Sequence, residues 1–137
     1  MDFLAEGDVL LLHKRTVDRY GGELGIRDHG LLISALSQPK ATFGGHYLCA
    51  TLQEMGGCYL YHLVANHPFL DGNKPIGTIC GLTFLQINGI PLPKRTPSND
   101  TLYRFVMEVA QGRCSKREVL DQFLSWFGKT PISRPIL

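Results

Sequence analysis

The sequence predicts an all-α domain, a compact bundle of about six helices. Three observations carry this. Apolar residues recur at three- and four-residue spacings through most of the chain, and no stretch shows a convincing two-residue alternation. The 137 residues suit one domain spanning 1–137. With 44% apolar and 19% charged residues, the chain has enough apolar surface for a core and is too hydrophobic to be disordered.

The first helix is expected over residues 8 to 19, with Val9, Leu10, Leu12, His13 and Val17 near one side. Gly21 and Gly22 end it, because glycine enters the left-handed region past a helix end without steric cost. Asp28 can cap a short second helix over 29 to 37, which Pro39 closes. Residues 40 to 47 read as a loop. A third helix covers about 50 to 65, with Leu52, Met55, Tyr59, His62 and Leu63 at helical spacings. After a polar break from His67 to Lys74, a fourth helix begins near Pro75. Its face is Ile76, Ile79, Cys80, Thr83, Phe84 and Ile87, and Asn88-Gly89 ends it. Ile90 to Leu92 can form a short extended piece. A fifth helix, about 99 to 111, turns Leu102, Phe105, Val106, Val109 and Ala110 inward. The last opens with the capping-box spacing Ser115 to Glu118 and packs through Val119, Leu120, Phe123, Leu124 and Phe127.

Several classes of function lose support at this level. A net charge of +2 is too small for nucleic-acid binding by bulk electrostatics, so no direct nucleic-acid partner is expected. No apolar run approaches the ~18 residues of a membrane span, and the first residues lack the pattern of a signal peptide, so a cytoplasmic location is expected. Cys49, Cys58, Cys80 and Cys114 are scattered and read as small hydrophobes in or near the core. His13, with Lys14 and Arg15, is expected on a solvated helix face, and His29 and His46 at the surface. His62 is expected to be a core or boundary histidine with its polar atoms satisfied. Trp126 is expected to pack.

The segment that carries chemistry is His67-Pro68-Phe69-Leu70-Asp71-Gly72-Asn73-Lys74, a loop running into a helix N-terminus. The first turn of a helix leaves amides without internal partners and adds the positive end of the helix dipole, which together attract phosphate. Gly72 lets a ligand approach the backbone, and Lys74 adds a mobile cation. Asp71 is a hard oxygen ligand suited to magnesium, and His67 can act as a base. These are the parts that transfer of a phosphoryl or nucleotidyl group to a hydroxyl requires. Arg19, at the end of the first helix, is read either as a cation beside the helix dipole or as a phosphate contact.

The same eight residues resemble the Fic motif: histidine, phenylalanine two places on, an acidic residue or asparagine, a small residue, asparagine, glycine or lysine, then arginine. A second run, Arg19-Tyr20-Gly21-Gly22 through Gly25-Ile26-Arg27-Asp28 and Gly30-Leu31-Leu32 to Pro39, is similar to the N-terminal part of death-on-curing proteins, as is Phe84-Leu85 with Asn88-Gly89. The resemblance spans about residues 3 to 127 and places the chain in the Fic/Doc superfamily, on the death-on-curing toxin branch. It implies the compact Fic/Doc helical bundle. It also implies an ATP- and magnesium-dependent kinase toxin, paired with an antitoxin, that phosphorylates a threonine of elongation factor Tu and blocks translation. His67 would be the base, Asp71 the magnesium ligand, and Gly72, Asn73 and Lys74 the nucleotide-phosphate site. Lysine at 74 and Thr78 in place of a second arginine favour this branch over AMP transfer, which stays the alternative.

One departure stands inside the motif: Pro75 replaces the arginine, and Ile33 stands where relatives often have glutamate. Arginine gives bidentate contacts to phosphate and proline gives none. The chain is therefore expected to be weak or inactive as a transferase, either as a degenerate copy or as a variant selected for low toxicity. Arg19 or Lys74 can compensate in part. A non-catalytic module that binds nucleotide or a partner is the reading from a different class.

Overall fold

The computed structural model describes residues 1–132. In chain order these form α1 (Glu6–Tyr20), α2 (His29–Ser37), a 3-10 turn (Gln38–Lys40), β1 (Thr42–Phe43), β2 (His46–Tyr47), α3 (Leu52–Asn66), α4 (Asn73–Ile87), α5 (Asn99–Ala110) and α6 (Lys116–Phe127). The six expected helices are present, each within about two residues of the sequence reading.

The caps explain most helix starts. The Asp28 carboxylate accepts the Leu31 N–H at 3.0 Å. Thr51 and Ser98 cap α3 and α5 in the same way, and Ser115 forms a full capping box with Glu118. No side-chain cap opens α4, which begins at Asn73, two residues before the expected start, with Gly72 in the left-handed region at φ 80°. Pro75 is its third residue, where an amide has no helical partner to lose.

α3 is the central element. Gln53 through Leu60, together with Leu63 and Val64, are buried, and α4, α6 and α2 surround it. Its contact with α4 is made close by glycines. A Cβ on Gly81 would lie 2.8 Å from the Gly56 carbonyl oxygen, and one on Gly77 would lie 2.7 Å from Val64 Cγ2. Tyr59, Phe84 and Phe123 fill the space above and below. Cys49, Cys58 and Cys80 are buried and free, as expected of small hydrophobes. Burial pushes the Cys80 thiol and the Tyr59 phenol each up to about 12. Trp126 packs edge-on to Phe105 with centroids 5.1 Å apart.

Two expectations are corrected. Residues 40 to 47 contain a hairpin in which Thr42 pairs with Tyr47 and Phe43 with His46. Gly44 and Gly45, both at positive φ (61° and 82°), make its tight turn. Ile90 to Leu92 forms no strand; Ile90 is buried against the core, and no segment among the described residues pairs with it. None of the described helices is long and apolar enough to cross a membrane.

Candidate active site

The loop 67–72 joins the two most tightly packed helices, so its ends are fixed by the core. α3 ends on His67, at φ 47° and ψ 54°, the one non-glycine residue at positive φ among those described. That conformation is strained for a residue with a Cβ and persists only where neighbours enforce it.

The neighbours are identifiable. On one side runs the segment 22–28. The Arg27 and Asp28 amides both donate to the Pro68 carbonyl, at 2.8 and 3.1 Å, and the Leu70 amide donates to the Gly25 carbonyl at 3.0 Å. The Arg27 guanidinium donates from Nε to the His67 carbonyl at 2.6 Å and from Nη2 to the Asn66 carbonyl at 2.9 Å. Asp71 Oδ2 accepts the Glu23 N–H at 2.7 Å. Inside the loop, the Asn73 carboxamide bonds both the N–H and the carbonyl of Phe69, at 3.0 Å each. Beneath it lies His13, stacked on Phe69 with ring centroids 3.8 Å apart and with Nε2 2.7 Å from the Asp71 carbonyl oxygen. A carbonyl only accepts, so Nε2 carries the proton there.

His13 is thus a correction. It was expected on a solvated face and is buried at 1% exposure, where the Asp71 carbonyl partners its Nε2 and Phe69 stacks on its ring. Lys14 and Arg15 are exposed as expected, and so are His29 and His46. His62 is corrected in part: it is half-buried, but Nε2 has no hydrogen-bond partner among the described residues. Desolvation, with Lys116 nearby, pulls its pKa down to about 4.

The structure separates the expected site residues into two sets. His67, Asp71 and Lys74 are exposed. The Asn73 side chain is not available to a ligand, since it is buried and spent on Phe69; only its amide remains. Gly72 makes its close approach to His13, whose Nε2 would lie 3.4 Å from a Cβ placed there. Arg19 is exposed with its guanidinium 5.4 Å from the Tyr20 ring centroid, and no described hydrogen bond links it to the loop.

What remains open is the start of α4. Among the described residues, the Asn73 and Lys74 amides donate to no protein acceptor, and Lys74 has no ion-pair partner. An apolar groove of about 360 Å³ opens beside it, lined in part by Tyr20, Lys74, Pro75, Thr78, Leu102 and Tyr103. His67, Asp71 and Arg19 are not in its wall. The two side chains that sequence reasoning left out of the site are His13 and Arg27, which act on the loop from 58 and 40 residues away.

A sequence profile of the Fic/DOC family matches residues 3–85, a span that contains both the segment 22–28 and the loop it braces. The chain belongs to the Fic/DOC family. It is 41% identical over 73 residues to Toxin Doc of Mycolicibacterium smegmatis, a match covering 53% of this chain and 56% of that protein. It is 25% identical over 128 residues to Protein kinase doc of Escherichia phage P1, covering 93% of this chain and 98% of the relative. These relatives place it on the death-on-curing branch of the Fic/DOC family. The match covers only about half the length of the M. smegmatis toxin. In this member of the Fic/DOC family, Pro75 is half-buried in the first turn of α4, and its ring forms part of the groove wall beside Lys74.

Proposed function

We propose that this chain is a Fic/Doc-type transferase, the toxin of a toxin–antitoxin pair, which moves the γ-phosphoryl group of ATP to a protein hydroxyl. One observation carries the reading. α4 opens without a cap, with two amides and a lysine at its start that have no partner among the described residues, while the residue that ends α3 is a histidine held in a strained, fixed conformation.

The Asn73 and Lys74 amides and the Lys74 ammonium would take the negative charge of the nucleotide phosphates. His67 would accept the proton of the attacking hydroxyl. That oxygen then bonds to the γ-phosphorus, the bond to the bridging oxygen breaks, and ADP leaves. Magnesium fits the loop in a limited way. Asp71 Oδ2 is engaged by the Glu23 amide, which leaves Oδ1 free of a described hydrogen bond. One carboxylate is enough for an ion that keeps several waters and otherwise binds phosphate oxygens. When bound, magnesium would screen the phosphate charge.

By the resemblance, the acceptor is a threonine of elongation factor Tu, with a block of translation in the cytoplasm as the result. An antitoxin segment would cover an apolar groove of the bundle; the groove lined by Tyr20, Pro75, Leu102 and Tyr103 has that character. Pro75 favours a second reading, a module that binds nucleotide without transferring it, because the first turn lacks the guanidinium that would hold the transferred group.

The test is to incubate the protein with magnesium, elongation factor Tu and ATP labelled at either the γ- or the α-phosphate. Slow labelling of the target from the γ position alone is expected. Label from the α position would mean AMP transfer instead. Nucleotide binding with no label in either case would leave only the module.

A further inference from the structure

We infer that Arg27 is a positioning residue for His67, an inference that rests on reading His67 as the base. The imidazole's place depends on the His67 backbone, and the described hydrogen bonds to that residue are made at its carbonyl rather than its ring. Arg27 Nε donates to it at 2.6 Å, and Nη2 donates to the preceding carbonyl of Asn66 at 2.9 Å. Both carbonyls belong to the end of α3, where helix acceptors lack partners and the dipole favours a cation. The planar fork of a guanidinium can span two successive carbonyls; the point charge of a lysine cannot.

The clamp is itself fixed. The Arg27 amide donates to the Pro68 carbonyl at 2.8 Å, next to the residue it clamps, and the Asp28 amide joins it at 3.1 Å. Asp28 in turn caps α2 through the Leu31 amide. Arg27, forty residues before His67, therefore ties the left-handed turn at 67 to the start of α2. The phosphate-facing amides of Asn73 and Lys74 are held separately, by the Asn73 bonds to Phe69 and by His13 under Asp71. Removing the clamp should therefore displace the base and leave the nucleotide end of the site in place.

The experiment compares the whole protein with Arg27→Ala, Arg27→Lys and Arg27→Gln. It follows the His67 HN–Hα coupling and backbone shifts by NMR, thermal unfolding, nucleotide affinity and transfer kinetics. In Arg27→Ala, and in Arg27→Lys as well, the His67 signals should leave the left-handed range. The kcat should fall on the order of a hundredfold, with KM for ATP changed less than about twofold. Added methylguanidinium should restore part of the rate of Arg27→Ala. Unchanged His67 signals in a folded Arg27→Ala protein would overturn the inference, as would full rescue by lysine. If the parent protein itself transfers nothing, the function proposed above falls, and the NMR comparison still decides the role of Arg27.

Discussion

Replacing Pro75 by arginine should raise transfer activity while lowering stability, and the opposed signs make the result diagnostic. Pro75 is the third residue of α4, in the same turn as the free amides of Asn73 and Lys74, and its ring is half-buried in the groove wall. Arginine there adds an N–H to the open first turn and a guanidinium that can bind a phosphate through two parallel hydrogen bonds. One such contact, made at the charge that develops in the transition state, is worth about 2.7–4 kcal/mol, or roughly a hundredfold to a thousandfold in rate. The helix loses little, because the Ile76 amide keeps its 3.0 Å bond to the Gly72 carbonyl. The unfolded chain gains the freedom that proline denied it, at a cost of about 0.4–1 kcal/mol. For a domain of this size that lowers Tm by about 2–5 °C. The assay is γ-phosphate transfer to elongation factor Tu at saturating ATP, run beside calorimetry, with Pro75→Ala and Pro75→Lys as controls. Alanine removes the ring without adding charge and should give no gain. Lysine adds a point charge and should give a smaller gain than arginine. The reasoning fails if Pro75→Arg is no faster than the parent, or if alanine helps as much.

Three further outcomes follow from the packing and the buried groups. His13→Ala removes a ring stacked at 3.8 Å on Phe69 and the 2.7 Å bond to the Asp71 carbonyl, and should cost about 2–4 kcal/mol in urea unfolding; His13→Gln, which keeps a donor, should cost less. Gly81→Ala drives a methyl to 2.8 Å from the Gly56 carbonyl oxygen, so calorimetry should show a loss of about 1–3 kcal/mol as α3 and α4 separate. His62 is held neutral when folded, its pKa lowered from 6.5 to about 4, so the unfolded chain binds a proton first. The stability it contributes is complete above about 6.5 and is lost as pH falls toward about 4. His62→Leu should flatten the pH dependence of unfolding over that window, and an identical slope in both proteins would show that His62 is not the group involved.

Where the fold was legible in the sequence, the signal was local. Asp28, Ser115 and the Gly21-Gly22 pair mark helix ends through contacts within four residues, and those ends fall within two residues of their expected places. The hairpin of β1 and β2 was not legible, since two-residue strands cannot show alternation. His13 had a signal that was outweighed. It lies four residues after Val9 and three before Thr16, on the stripe that proves to be buried. Periodicity placed it inside while residue type argued for the surface. The hydrogen-bond acceptor that settles the matter comes from another helix junction, at Asp71.

The same distinction explains what could be read of the site. A loop entering a helix start is a local feature, so the open first turn at Asn73 and Lys74 follows from the sequence, and so does the exposure of Lys74. Which of these groups stay free for a ligand is a tertiary question. The Asn73 carboxamide is consumed by Phe69, the approach to Gly72 is filled by His13, and one oxygen of Asp71 is taken by Glu23. The two sequence signatures looked like separate marks of kinship, one near residue 20 and one near residue 70. They are two edges of one structure: Ile26 bridges Phe69, Leu70 bonds Gly25, Asp71 receives Glu23, and Arg27 holds His67. A change in either signature should therefore be felt at the other. The 22–28 segment is thus one unit with the loop, braced to it through the backbone at 67, 68 and 70 and through the Asp71 carboxylate.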